Sequence, residues 1–275
     1  MTDLQIGVVG CAGRMGINLL RQIAATEGCA IAGGSERPDH EAVGQGLAAL
    51  AGLGSEDCSG MVVEAEPRTM FERAAIVLDF TVPPASVAHA ALAVETGTNL
   101  VIGTTGMTTS DDQLIVQAAE KIAVMREGNM SLGVNVLALL TKRMASLLDD
   151  DFDIEIVEMH HRYKVDAPSG TALILGRAAA AGRQIDHDAV AQGGRHGITG
   201  ERHRGDIGYA ALRGGNVAGE HTVIFAADDE RVELSHKATD RAIFARGALR
   251  AARWLGDKKI GLYGMADVLG LQTRS

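Results

Sequence analysis

A cluster of basic side chains near the middle of the chain has the residue types that proton transfer needs. Residues 158–171 read Glu-Met-His-His-Arg-Tyr-Lys-Val-Asp-Ala-Pro-Ser-Gly-Thr, and they place His160, His161, Arg162 and Lys164 close together. His160 and Lys164 are candidate proton donors, because a histidine titrates near neutrality and an ammonium group can protonate a reacting atom. In a chain of formal net charge −9, such a local cluster suits an anionic ligand.

The residues that follow the cluster predict a helix start that binds this anion. Pro168 favours an extended chain before it. Ser169, Gly170 and Thr171 then begin an apolar helical run over residues 172–181. A serine or threonine at a helix start, with free backbone N–H groups and the positive end of the helix dipole, attracts a carboxylate or a phosphate. The glycine lets that ligand approach the backbone closely.

Two other interpretations of the cluster stay open on these residues alone. A basic run at the end of a strand is commonly a solvated surface patch. Paired histidines also suggest a metal ion, although the nearest carboxylates and thiols stand at no familiar ligand spacing. Motifs elsewhere in the chain are needed to choose among the three interpretations.

A glycine-rich turn near the N-terminus predicts a dinucleotide-binding loop. Residues 4–9 have a short apolar strand pattern, and Gly10, Gly13 and Gly16 follow it immediately before a helical pattern. In such loops the first glycine makes the tight turn, the second lets backbone approach the pyrophosphate, and the third allows the helix to pack on the strand. The spacing is G-x-x-G-x-x-G and not the usual G-x-G-x-x-G, so a simple turn is the alternative.

An acidic and a basic residue follow the next predicted strand, at residues 29–33. Glu36 stands where an acid accepts a hydrogen bond from the adenosine ribose 2′-hydroxyl of NADH, and the adjacent Arg37 can meet the 2′-phosphate of NADPH. We therefore expect both NADH and NADPH to serve as cofactors. Their order of preference stays open.

Strand and helix patterns alternate through the first half of the chain. Further strands are predicted at residues 61–64, 75–80, 99–102 and 122–125, whereas residues 38–60 are expected to be a flexible excursion. The alternation predicts an α/β fold with a Rossmann-type doubly wound parallel sheet, whose ligands bind outside the carboxyl ends of the strands. The turns at 103–106 and 128–131 follow such strand ends.

The pattern changes after the acidic run at 149–151. Strands are then predicted at residues 207–212, 222–225 and 232–234, with no helix between them. We expect a second α+β domain with an open mixed sheet. A last helix at 242–254 and the tail at 260–271 are expected to return to the first domain. The predicted domains are therefore a dinucleotide-binding domain (1–130 plus about 240–275) and a substrate-binding and oligomerisation domain (131–239).

The composition is that of a globular protein that handles small molecules. The 275 residues are 46% apolar, and the negative net charge argues against nucleic acid or an anionic membrane as a partner, because binding them needs a broad basic face. Cys11, Cys29 and Cys58 form no C-x-x-C pair, which indicates a reducing compartment. Neither a signal-peptide pattern nor an apolar run of membrane-spanning length occurs, so we expect a cytoplasmic protein.

The motifs taken together resemble those of a known family. The glycine loop, the Glu36–Arg37 pair, the turn at 103–106 and the His-His-x-x-Lys run occur in the order found in the dihydrodipicolinate reductases, also called 4-hydroxy-tetrahydrodipicolinate reductases. This family acts in bacterial lysine and diaminopimelate synthesis. The resemblance extends over essentially the whole chain, and its most specific part is residues 158–171.

The resemblance implies an enzyme that reduces 4-hydroxy-tetrahydrodipicolinate (dihydrodipicolinate) to tetrahydrodipicolinate with NADH or NADPH and without a metal. It makes His160 and Lys164 catalytic and leaves the division of proton transfer between them open. The implied holders of the substrate carboxylates are His161, Ser169, Gly170 and Thr171. The implied cofactor positions are Gly10, Cys11, Ala12, Gly13, Arg14, Met15, Glu36, Arg37, Gly103, Thr104, Thr105, Glu127, Gly128, Asn129 and Met130. Glu127 stands where the family has a small apolar residue.

The resemblance, together with the open sheet, also implies a homotetramer built through the second domain. Three other functions remain to be separated from this one. They are a different NAD(P)-dependent reductase of a small cyclic dicarboxylate, a non-catalytic dinucleotide sensor, and a metal-dependent lyase or hydrolase that uses the histidines. Oxidation of NAD(P)H in the presence of substrate excludes a sensor, and loss of activity to chelators would indicate the lyase or hydrolase.

Overall fold

The computed structural model describes residues 3–54 and 56–271, and the chain divides into two compact units. The first unit comprises Met1–Met130 and Ala242–Ser275, and the second comprises Ser131–Arg241. Within the described part of the chain, no helix has the length and apolar character needed to cross a membrane.

The first unit begins with alternating strands and helices. In chain order they are β1 (Leu4–Val9), α1 (Arg14–Ala24), β2 (Cys29–Ser35), α2 (Leu47–Ala51), β3 (Val63–Glu64), α3 (Arg68–Arg73), β4 (Ile76–Asp79), α4 (Pro83–Thr96), β5 (Asn99–Ile102), α5 (Thr109–Ala119) and β6 (Ala123–Arg126). The central strands are buried along nearly their whole length, because helices cover both faces of a parallel sheet.

The second unit contains three helices and five strands among its described residues. They are α6 (Leu132–Leu147), β7 (Asp153–His160), α7 (Gly170–Arg183), α8 (His187–Val190), β8 (Ala191–Gly193), β9 (Ile207–Arg213), β10 (Gly219–Ala226) and β11 (Arg231–Ala238). The chain then continues in the first unit with α9 (Ala242–Leu255), β12 (Gly261–Tyr263) and α10 (Met265–Val268).

The first sheet has the strand order β12-β6-β5-β4-β1-β2-β3, and its pairings are parallel. The order reverses between β1 and β4, which is where doubly wound sheets bind their ligands. The predicted Rossmann-type architecture is confirmed. The expected flexible excursion at 38–60 was wrong in part, because it contains α2, which buries Leu47 and Ala51 and ends at Gly52 in a left-handed conformation.

The second sheet has the order β11-β10-β7-β9-β8. Strand β7 pairs antiparallel with β10 and parallel with β9, so the sheet is mixed, as predicted. The residues of β7 alternate strictly between half-buried and buried positions. Ile154 and Ile156 of β7 join Val223 and Phe225 of β10 in one core with Leu175 of α7. This alternation places His160, the last residue of β7, on the buried face of the sheet.

Candidate active site

The glycine turn of the first unit forms a cradle for a phosphate group. Gly10 has a φ of 65°, in the left-handed region. A Cβ added to Gly16 would lie 2.2 Å from the carbonyl oxygen of Gly10, so only glycine lets α1 pack against the turn. Helix α1 begins after Gly13 without a side-chain cap. These features fit a dinucleotide pyrophosphate at the helix N-terminus.

Glu36 and Arg37 lie beside this turn at the carboxyl end of β2. Oε1 of Glu36 is 3.8 Å from the point that a Cβ on Gly10 would occupy, and Oε2 accepts a hydrogen bond from the backbone N–H of Arg37 at 3.1 Å. The Arg37 guanidinium forms an exposed ion pair with Asp39, with Nε 3.2 Å from Oδ1. The structure thus brings the acid to the glycine turn and leaves the arginine at the surface.

A buried carboxylate that sequence reasoning missed fixes the turn at residues 103–105. Asp79, at the end of β4, is fully buried, and its Oδ2 lies 2.8 Å from Nδ1 of His89. Its Oδ1 accepts hydrogen bonds from Thr81 and from the hydroxyl of Thr104. Burial alone would raise the pKa of Asp79, but the hydrogen bonds from His89 and Thr81 outweigh it and hold that pKa below its ordinary value.

The side chain of Glu127 joins the loop at 127–130 to the C-terminal segment of the same unit. Its Oε2 accepts from the backbone N–H of Met265 at 3.3 Å, and its Oε1 accepts from that of Gly128 at 3.1 Å. Burial raises the pKa of this carboxyl group. The side chain therefore has a structural role in this loop. Cys11 and Met130 are buried, which leaves only their backbone for a ligand.

In the second unit, Glu158 and His160 lie two residues apart on the buried face of β7. Nδ1 of His160 is 2.5 Å from Oε2 of Glu158, whose side chain is only 1% exposed. Arg213, at the end of β9, donates from Nη1 and Nη2 to the two oxygens of Glu158 at 2.8 Å each. Sequence reasoning missed Arg213, because only the register of β7 on β9 brings it to this carboxylate.

Lys164 and His161 each have a charged partner in the same unit. Nζ of Lys164 donates to both carboxylate oxygens of Asp166, at 2.7 and 2.8 Å. Nη2 of Arg241 lies 2.6 Å from Nε2 of His161, and because arginine only donates, this ring nitrogen accepts. Arg241 adds a cation to the cluster that the sequence pattern did not reveal.

Ser169 is buried at the start of α7, where its backbone N–H and its hydroxyl have partners within the protein. Its backbone N–H donates to Oε1 of Glu158 at 3.1 Å. Its hydroxyl accepts from the N–H of Ala172 and lies 3.0 Å from Nε2 of His221. Ser169 therefore caps the helix, whereas Gly170 is exposed with open space around its Cα.

His221 belongs to the same buried group. Its ring meets that of His160 edge-on at a centroid distance of 5.1 Å. Burial lowers the pKa of His221 from 6.5 to about 4, and the charge of the nearby His160 makes a smaller contribution in the same direction. This ring is therefore neutral at physiological pH. Across residues 3–54 and 56–271, no three histidine, cysteine, aspartate or glutamate side chains are grouped as metal ligands.

Both halves of the chain match models of one enzyme family. The model of the N-terminal part of dihydrodipicolinate reductase matches residues 4–130, and the model of its C-terminal part matches residues 133–269. The chain belongs to the dihydrodipicolinate reductase family. As a member of that family with a Rossmann-type sheet, it is an oxidoreductase that uses a nicotinamide dinucleotide.

Relatives named 4-hydroxy-tetrahydrodipicolinate reductase are similar along their full length. The protein from Rhodopseudomonas palustris (strain TIE-1) is 54% identical over 98% of this chain and 99% of its own. The one from Afipia carboxidovorans is 51% identical over the whole of both chains. In fold, the chain matches a dipicolinate-bound dihydrodipicolinate reductase from Paenisporosarcina sp. TG-14. That match has a TM-score of 0.72 and 24% identity, and it covers 97% of this chain and 99% of the other.

Proposed function

We propose that this member of the dihydrodipicolinate reductase family reduces 4-hydroxy-tetrahydrodipicolinate to tetrahydrodipicolinate with NADH or NADPH, in lysine and diaminopimelate synthesis. The observation that carries the proposal is the grouping of His160, His161, Lys164 and the start of α7 at one end of β7. These groups supply cations and proton donors for a cyclic dicarboxylate. The relatives at 51–54% identity carry the name of this activity.

The residues of the first unit bind and orient the cofactor, which supplies a hydride when bound. The glycine cradle holds the pyrophosphate, and Glu36 and Arg37 hold the adenosine ribose. The turns at 103–105 and 127–130 line the remainder of the dinucleotide. Glu127, Cys11 and Met130 contribute backbone groups and not side chains, since these side chains are engaged within the protein.

The residues of the second unit hold the substrate and deliver a proton. His161, Gly170 and Thr171 hold the carboxylates, and Ser169 acts indirectly by capping α7. Lys164 polarises or protonates the ring as electron density builds on it, with His160 as the second donor. Asp166 accepts two hydrogen bonds from Lys164, and the third N–H of the ammonium group can point to the ring while this ion pair is kept.

The proposal extends to a homotetramer built through the second sheet. The face opposite α6 and α7 carries half-buried Val157, Met159 and Ile224 and the exposed Leu212. An apolar sheet face of this kind is commonly covered by another subunit. Light scattering at micromolar protein concentration tests this assembly, and a monomer would contradict it.

The decisive experiment follows loss of NADH or NADPH absorbance with the condensation product of pyruvate and aspartate semialdehyde. We expect turnover with this product and none when aspartate semialdehyde is omitted. A chelator should leave the rate unchanged. No oxidation with an active condensing enzyme present would refute the function, and binding of NADH without turnover would favour a sensor.

A further inference from the structure

The carboxylate of Glu158 is surrounded by hydrogen-bond donors. It accepts hydrogen bonds from both Nη atoms of Arg213 and from the backbone N–H of Ser169. Its Oε2 lies 2.5 Å from Nδ1 of His160. A buried carboxylate with this set of donors is ionised. Burial alone would raise its pKa, but the hydrogen bonds from Arg213 and His160 hold that pKa below its ordinary value.

The ionisation of Glu158 determines where His160 carries its proton. An ionised carboxylate can only accept hydrogen bonds, so Nδ1 of His160 must be the donor in this contact. The neutral ring is therefore the Nδ1–H tautomer, and Nε2 is the nitrogen left to take up and release a proton.

The space beside Nε2 depends on a glycine. A Cβ added to Gly219 would lie 3.0 Å from Nε2 of His160, which is tighter than an ordinary contact. Gly219 has a φ of 152°, a conformation that residues with a Cβ rarely adopt. The absence of a side chain at this position keeps one side of the nitrogen clear.

The same ion pair also fixes the segment that carries Lys164. Glu158 binds the N–H of Ser169 at one end of the segment, and Nη2 of Arg213 donates to the carbonyl oxygen of Asp166 at 2.6 Å. Residues 161–169 are thus fastened at two points to the Glu158–Arg213 ion pair, whose carboxylate orients His160. The relative placement of the two proton donors depends on one buried ion pair.

We propose that Glu158 is a positioning residue for the reduction, and that Arg213 keeps it ionised and in place. Glu158 holds His160 in the Nδ1–H tautomer and sets the start of α7 in register with that ring, so that Nε2 faces the substrate. The inference rests on the proposed function, but the tautomer of His160 is measurable without any turnover.

The test is Glu158→Gln, which keeps the shape and removes the charge. A glutamine has one accepting oxygen and one donating nitrogen, so it cannot accept from His160 and from Ser169 through separate oxygens. We expect kcat to fall by about 10- to 100-fold, as for other partners that orient a functional histidine. We expect the KM for the dicarboxylate to change by less than about threefold.

Nitrogen-15 NMR of histidine-labelled protein gives the second readout, with His160→Gln used to assign the His160 signals. We expect the Nδ1–H tautomer in the wild-type protein and a mixture of tautomers in Glu158→Gln. An Nε2–H tautomer in the wild-type protein, or a Glu158→Gln variant with wild-type kcat, would overturn the inference. A wild-type protein without turnover would instead refute the proposed function, while the tautomer would still be measured.

Glu155→Gln is the matched control. Glu155 lies on the same strand, faces the opposite side of the sheet and also pairs with arginines, Arg195 and Arg202. We expect this variant to keep kcat within about twofold. Melting temperature and NADH affinity show whether each variant is folded. If Glu158→Gln does not fold, Glu158→Asp replaces it, because aspartate keeps the charge. We expect His160 to retain the Nδ1–H tautomer in Glu158→Asp, and loss of that tautomer would overturn the proposal.

Discussion

Asp166 holds Lys164 through two short hydrogen bonds, of 2.7 and 2.8 Å, and the lysine donates both. The pKa of Asp166 is held below its ordinary value, and the hydrogen bond from Lys164 is the largest cause. The negative charge of Asp166 offsets the charge of the ammonium group that would attract an anionic substrate. We therefore expect Asp166 to weaken substrate binding while it keeps the lysine in place.

We predict that Asp166→Asn lowers the KM for the dicarboxylate by up to about fivefold and changes kcat little. A partly exposed ion pair is worth up to about 1 kcal/mol, which corresponds to that factor. Steady-state kinetics at several ionic strengths measure the effect. A rise in KM would show that Asp166 orients the lysine for binding and does not weaken substrate binding.

Replacing either proposed proton donor should affect turnover far more than cofactor binding. We predict that Lys164→Ala and His160→Ala each lower kcat by about 100- to 10,000-fold, the usual effect of losing a positioned acid. NADH affinity, measured by fluorescence titration, should stay within about twofold, because neither residue lies in the first unit, to which we assign cofactor binding. Wild-type turnover in either variant would remove that residue from the catalytic set.

The neighbouring charges at the end of β2 should give a weak cofactor preference. We predict kcat/KM values for NADH and NADPH within about tenfold of each other, or roughly 1.4 kcal/mol. Arg37→Ala should weaken NADPH more than NADH, since it removes a cation that can meet the 2′-phosphate, and Glu36→Ala should do the reverse. Unchanged use of NADPH by Arg37→Ala would contradict this account.

Buried His221 should make the protein less stable as the pH falls. Its pKa is depressed to about 4 in the folded protein, against 6.5 for an ordinary histidine, so the unfolded chain binds a proton first. The contribution of His221 to the free energy of unfolding is complete above the pKa of the unfolded state, 6.5. It is lost progressively as the pH falls towards the pKa of the folded state, about 4. When the pH falls from about 7.5 to about 5, this single group should lower the free energy of unfolding by about 2 kcal/mol.

Urea unfolding at both pH values measures this loss. His221→Gln should reduce it, because glutamine can keep the contact with Ser169 but does not titrate. His236, whose pKa is also lowered by burial, contributes with the same sign and remains in the variant. Exposed His196→Gln is the control, and an equal pH dependence in both variants would contradict the assignment.

Parallel strands were the most predictable part of the fold. The strands Leu4–Val9 and Asn99–Ile102 have the predicted bounds, because buried strands of a parallel sheet are short apolar runs between turn residues. Helix α3 was not predicted, since six residues with two arginines and a glutamate give no clear apolar period. Its Met70 and Phe71 nevertheless lie in the core.

The site was predictable where its residues are contiguous and not where they meet by strand pairing. The run from His160 to Thr171 was visible because a strand end, a proline and a helix start follow one another. Arg213 reaches Glu158 from 55 residues away, and His221 reaches Ser169 from 52 residues away. Only the register of β7 with β9 and β10 specifies these contacts, and no local pattern encodes it.

The return of β12 to the first sheet has a consequence for how the two units fold during synthesis. Helix α9 packs against α1, and β12 pairs with β6, so the first unit is completed by residues that are synthesised only after the whole second unit. The second unit, Ser131–Arg241, is contiguous and can fold while the first still lacks α9 and β12. Until α9 has been synthesised, the first unit therefore exposes the apolar surface that the buried face of α9 covers in the complete chain.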